Sequence, residues 1–258
     1  MSHFLETTDT IDTSLNLGFS LYGPLHLAWL AFFAVVTLAL FVLYRKSDAH
    51  HRAVLRRVLA ILIVFDEIFK MIGLTLGGNY TADYLPLHLC SVNAMLLPAA
   101  VFSRNKTVNN LLLVWSLGAL AALVMNQAVA EAMVLDPVFC FFYFPHVLEF
   151  GIPILMFKLG LAKKDPKCIV STVGITMGVY TLIHFINKAL NAAQLLDLNG
   201  EVIRVNYMYS IDPENPLLAL FYKVIPYEYW YMYMIVPILV VYLLIVYAPQ
   251  LLKRKNNG

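Results

Sequence analysis

Seven apolar segments, each near the roughly 20 residues needed to cross a bilayer, dictate what this chain can fold into. They run approximately over 23–44, 54–76, 85–102, 108–126, 138–159, 168–188 and 226–247. Hydrocarbon offers backbone N–H and C=O groups no outside partner, so segments of this kind become helices. Composition agrees with that reading. Of 258 residues, 60% are hydrophobic and 13% charged, about half the charged share of a soluble domain. The expected fold is an all-α membrane protein with seven transmembrane helices, and 1–258 is expected to be one membrane domain. The net charge of +2, without a basic stripe or a nucleic-acid motif, gives no reason to expect a nucleic-acid partner. The first 22 residues hold no Lys or Arg, and the apolar run after them is long enough to span. A cleavable signal peptide is therefore not expected.

The connections alternate in charge. Arg45, Lys46, Arg52, Arg56 and Arg57 lie between the first two segments, Arg104 and Lys106 between the third and fourth, and Lys163, Lys164 and Lys167 between the fifth and sixth. The opposite set carries Glu6, Asp9 and Asp12, then Asp83, Glu131 and Asp136. The positive-inside rule then places the amino terminus outside and the carboxyl terminus inside. One outer connection, 189–225, is far longer than the rest. Loops of that length are functional or disordered. Its tyrosines and apolar residues argue for an ordered extracytoplasmic cap. The aromatic cluster Tyr227, Tyr229, Trp230, Tyr231 and Tyr233 is read as an interfacial belt opening the last segment.

Orientation turns position into depth at about 1.5 Å per residue. His88 and Cys90 then lie roughly 5–8 Å below the outer end of the third segment, and His146 roughly 12 Å down the fifth. His26, Asn126, His184 and Asn187 fall near outer ends, Lys70 somewhat deeper, and Asp66 and Glu67 near the middle. Polar side chains at membrane depth are functional suspects, and their collection in one half suggests a single cavity opening outward.

Pro86 suits a helical first turn, which makes His88 a first-turn residue. Positions three apart share a helix face, so Cys90 faces with Asn93, and His88 with Ser91. A base for a Cys90 nucleophile would then come from another helix. His146 is the candidate, with Glu149 one turn away to orient its ring. Asn93 and first-turn amides would serve an oxyanion.

Other readings remain open. Lys70 can pair with Asp66 or Glu67 on its own helix, leaving one carboxylate over for ion-coupled transport. His88, His146 and His184 with a carboxylate would make an intramembrane metallohydrolase, although no HExxH or HxxxH pair is present. Cys140 and Cys168 read as packing residues. A Cys90–Cys140 disulfide is possible if both lie toward the outer face.

The run Leu85-Pro86-Leu87-His88-Leu89-Cys90, with His146 in the fifth segment and Asn187 followed by Asn206-Tyr207, resembles the YwaF-type bacterial integral membrane proteins. That family shares a domain with the eukaryotic transmembrane cysteine-dependent phospholipid acyltransferases, and the resemblance covers most of the chain. It implies a Cys90–His146 catalytic pair, membrane lipids as substrate, and a bacterial plasma membrane as location. The resulting expectation is a lipid acyltransferase or hydrolase near the outer leaflet, without cofactor or metal. His88, Asn93, Glu149, His184, Asn187, Glu67 and Lys70 would support the pair. The alternatives are a non-catalytic ion-coupled transporter or lipid-binding membrane protein, and the metallohydrolase.

Overall fold

The computed structural model describes residues 22–78, 80–103, 105–125, 137–197, 199–214 and 216–255. Its helices are α1 (Pro24–Lys46), α2 (Ala49–Leu76), α3 (Leu89–Ser103), α4 (Lys106–Met125), α5 (Pro137–Lys158), α6 (Ile169–Ala192), α7 (Pro216–Val224) and α8 (Ile235–Lys255). Among the described residues the only β feature is an isolated bridge, Leu196 to Val202. The amino-terminal acids, Asn126, Glu131 and Asp136 lie outside the described residues, as does the side chain of Cys140.

Five described helical stretches are long and apolar enough to cross a membrane: Pro24–Lys46, Ala82–Ser103, Lys106–Val124, Pro166–Ala192 and Trp230–Leu252. The chain is an integral membrane protein built of helices. α1 shows why: Leu27, Phe32, Val35 and Leu38 are exposed along it, while only His26, Phe33 and Tyr44 are buried. α2 has the length, but Asp66, Glu67 and Lys70 interrupt its apolar stretch.

Two boundaries depart from the sequence reading. α3 begins at Leu89, not Leu85. The residue before a proline is driven out of the helical region, and Leu85 adopts ψ 140. The Leu87 N–H donates back to the Leu85 carbonyl at 2.7 Å, closing a tight turn around Pro86. His88 therefore precedes the helix, and Cys90 sits in its first turn. The last helix starts late for a related reason. Tyr229 holds φ 67, which a helix does not admit, so residues 226–229 form a turn, Trp230–Met234 a 3-10 turn, and α8 proper begins at Ile235.

By its contacts the chain divides into two compact units. The first comprises Met1–Tyr80, Cys90–Arg104 and Trp115–Ala162. In it α2 packs against α5, and α1 lies against both. Pro24 opens α1 at a position where a missing N–H costs nothing, and Asp48 caps α2 by accepting from the His51 N–H at 2.9 Å. His26 is consumed in this unit: its Nδ1 accepts from the Tyr22 N–H at 2.9 Å, and its Nε2 donates to the Leu123 carbonyl at 3.1 Å.

The second unit comprises Thr81–Leu89, Asn105–Val114 and Lys163–Gly258. α6 packs on α8, and α7 on the Trp230–Met234 turn. Asn110, wholly buried, donates to the Lys106 and Lys163 carbonyls and accepts from the Asp165 N–H and the Tyr247 hydroxyl. It ties α4, the α5–α6 connection and α8 together.

Candidate functional site

The polar side chains that the sequence marks inside apolar helices gather, in the first unit, on α2, α3 and α5. Helical spacing places them there. On α3, Ser91 and Asn93 are two apart and face different neighbours. Ser91 Oγ donates to Glu67 Oε1 of α2 at 2.9 Å, and Asn93 Nδ2 donates to Glu149 Oε2 of α5 at 3.1 Å. Asn93 and Glu149 are 0% and 1% exposed, and His146, one turn before Glu149, is 3% exposed. Pro145, immediately before His146, lies inside α5 and removes one N–H from the helix ladder.

Lys70 pairs with Glu67 rather than Asp66. Its Nζ is 2.7 Å from Glu67 Oε2. The contact balances the charge, yet Oε2 accepts no well-aligned hydrogen bond. Asp66 is the carboxylate left over, with Oδ2 buried and unpartnered. It lies within electrostatic reach of Glu67, Lys70 and His146.

Cys90 is a free, partly exposed thiol beside this cluster. Lys70 and Glu67 are within electrostatic reach of it. Glu149 in turn is within reach of His146, Cys90 and Glu67. The expected catalytic residues Cys90 and His146 and the expected supporting residues Asn93, Glu149, Glu67 and Lys70 thus belong to one unit. The Asn93 amide, expected at an oxyanion, instead spends a donor on Glu149, while its Oδ1 is buried without a partner. First-turn amides of α3 lack intrahelical acceptors and remain suited to that task.

His88, His184 and Asn187 belong to the second unit, where they hold residues 207–210. The His88 ring packs edge-on against Tyr207 at 5.3 Å and tilted against Tyr209 at 5.9 Å. Asn187, fully buried, donates to the Tyr207 carbonyl at 2.8 Å and to Ser210 Oγ at 2.9 Å, and accepts from the Tyr207 N–H at 3.1 Å. One turn on, Asn191 repeats the arrangement with Val205. His184 Nδ1 meets Ser210 Oγ at 3.1 Å, and the Tyr207 hydroxyl donates to the Ala82 carbonyl.

Two participants escaped the sequence reading. Ser91 was visible as a polar residue beside Cys90, but its partner on α2 was not. Tyr80 gave no signal beyond its place in the polar stretch Asn79-Tyr80-Thr81. Its hydroxyl is buried without a partner, and Lys70 and Glu67 are its charged neighbours.

Between α1, α2 and α5 of the same unit lies a small apolar crevice lined by Thr37, Leu40, Leu59, Val147, Gly151 and Ile152, with a cavity volume of about 10 Å³. Among the described residues no three His, Cys, Asp or Glu side chains come together in a way that would hold a metal ion.

Comparison with known proteins adds one finding: the TMEM164 family model matches residues 21–247. No match was found among curated proteins or among solved structures.

Proposed function

The chain belongs to the TMEM164 family of membrane proteins, and on that premise we propose that it is a lipid acyltransferase or lipid hydrolase acting through Cys90 and His146. The observation that carries this reading is the gathering of Cys90, Asn93, His146 and Glu149 on α3 and α5 of one unit, linked by the buried Asn93–Glu149 hydrogen bond. His146 acts as base toward the Cys90 thiol and Glu149 orients its ring. The thiolate attacks an ester carbonyl of a membrane lipid. First-turn amides serve the oxyanion, and an incoming hydroxyl or water resolves the acyl-thioester.

In this reading α1 to α6 and α8 all cross the membrane, with the amino terminus outside and the 189–225 connection forming an outer cap. The alternation of basic connections supports that orientation. The relation to YwaF-type bacterial proteins and to eukaryotic phospholipid acyltransferases, and with it a bacterial plasma membrane, rests on the Leu85–Cys90 motif with His146.

The test is lipid turnover by purified protein in nanodiscs, with the acyl-enzyme sought at Cys90 by mass spectrometry. Cys90→Ala and His146→Ala are expected to abolish both. Full turnover in Cys90→Ala rejects the mechanism. One observation favours a second reading. Asp66 keeps an unpartnered buried carboxylate oxygen, which suits an ion-coupled transporter. Proton-dependent uptake lost in Asp66→Asn but kept in Cys90→Ala would decide for it.

A further inference from the structure

Tyr80 is the feature that the thiol and imidazole leave unexplained. A buried hydroxyl without a partner is costly, and a phenylalanine would avoid that cost in the same space. The Tyr80 hydroxyl is buried and unpartnered all the same. Burial pushes its phenol up from the usual value; Lys70 pulls it down and Glu67 adds to the rise. The group therefore stays a neutral O–H donor at neutral pH. Its two charged neighbours also act on the Cys90 thiol, and they form one ion pair, Lys70 Nζ to Glu67 Oε2 at 2.7 Å. Ser91, next to Cys90, anchors that pair from α3. All these residues belong to the first unit.

We propose that Tyr80 is a further catalytic residue, whose hydroxyl donates a hydrogen bond to the ester carbonyl oxygen as negative charge develops on it. The inference rests on the Cys90 acyl-transfer reading. In the step concerned, the thiolate lone pair forms the carbon–sulfur bond and the carbonyl π pair moves onto oxygen, where the Tyr80 O–H and first-turn amides hold it. The tetrahedral species then re-forms the carbonyl and breaks the carbon–oxygen ester bond. The departing alkoxide takes from His146 the proton that left the thiol. Tyr80 keeps its own proton throughout, so it assists charge and not proton transfer.

The experiment compares two reactions of Cys90 in full-length protein in nanodiscs. Acylation by p-nitrophenyl hexanoate develops an oxyanion, and alkylation by iodoacetamide does not. Tyr80→Phe is expected to slow the p-nitrophenolate burst by about 10²–10³, the effect of losing one oxyanion donor, while the iodoacetamide rate at Cys90 stays unchanged. Its thermal stability should hold or rise, because an unpartnered hydroxyl is removed. A burst as fast as wild type overturns the proposal. So does a parallel loss of both rates, which would make Tyr80 a positioning residue for the thiol. A wild-type protein that is never acylated at Cys90 overturns the acyl-transfer reading itself, and this inference with it.

Discussion

Asn93 on α3 donates its amide to the Glu149 carboxylate on α5 at 3.1 Å, and neither side chain reaches solvent or lipid. The bond joins the helix that carries Cys90 to the helix that carries His146. Its removal leaves a buried carboxylate without that donor, which costs more than the bond itself is worth. Asn93→Ala is expected to lower stability by about 1–3 kcal/mol. A double-mutant cycle with Glu149→Gln should show a coupling of about 0.5–3 kcal/mol. Thermal unfolding in detergent measures both, and additive single effects would mean that the contact is not energetically real.

Lys70 and Glu67 are 18% and 10% exposed at the side chain, so neither charge is well screened by solvent. Breaking a buried pair from one side is costly, about 3–5 kcal/mol, whereas replacing both partners with apolar groups can be neutral. Partial exposure puts this pair at or below the low end. Lys70→Met is therefore expected to destabilise clearly, and Lys70→Met combined with Glu67→Met to recover much of the loss. Urea denaturation midpoints give the comparison. A double variant as unstable as Lys70→Met would show that Ser91 and Asp66 still depend on Glu67.

How far this cluster was legible depends on which residue is asked about. Cys90 and Asn93 stand three apart, and His146 and Glu149 likewise, so helical periodicity alone set each pair on one face. The choice of Glu67 over Asp66 as the Lys70 partner was not readable, since both spacings suit a helix. The decision came from α3, whose Ser91 hydroxyl fixes Glu67. The start of α3 was misjudged because Pro86 is compatible with a first turn and with a preceding one; the extended Leu85 decides for the latter. His88 changed unit with that shift. Tyr80 was invisible, because a lone tyrosine in a polar connection has no periodicity to betray it. The division into two units was not legible either, since every segment boundary reads alike in hydropathy.

A pH effect follows at the exposed start of α2. The His51 backbone N–H, and then its side chain, hold the Asp48 carboxylate below the usual range. A folded-state value below the unfolded one means that Asp48 stabilises the helix above the unfolded value. That contribution is lost as pH falls through the lowered folded value. Asp48→Ala should therefore fray the start of α2 at neutral pH, and its difference from wild type should shrink only at strongly acid pH. Hydrogen exchange of residues 49–52 against pH measures this. A difference that already vanishes near neutrality would assign the cap to His51 instead.

Gln194 is exposed and lies just past the end of α6 with φ 49. That is the position where helices favour glycine, because only glycine enters the left-handed region without a Cβ penalty. Gln194→Gly is expected to raise stability modestly, by about 0.5–1 kcal/mol, the size of backbone effects at such sites. Equal or lower thermal stability would show that the long side chain contributes more than the conformation costs.

The segment after α6 depends on Asn187 in a way that separates local order from helix stability. Its amide closes a two-sided bond with the Tyr207 backbone and a further one with Ser210 Oγ. Those contacts hold Met208 and Tyr209 at φ 53 and 55, conformations costing non-glycine residues about 1–3 kcal/mol each. An alanine at 187 leaves the Tyr207 N–H and C=O without side-chain partners and leaves the strained pair unsupported. α6 itself loses nothing, since alanine is the better helix former. Asn187→Ala should therefore expose residues 199–214 to exchange and proteolysis while α6 keeps its protection. Asn187→Gln should not rescue it, because an added methylene displaces both ends of the amide. Protection lost equally in α6 and the following segment would show that Asn187 stabilises the unit as a whole and not the strained turn.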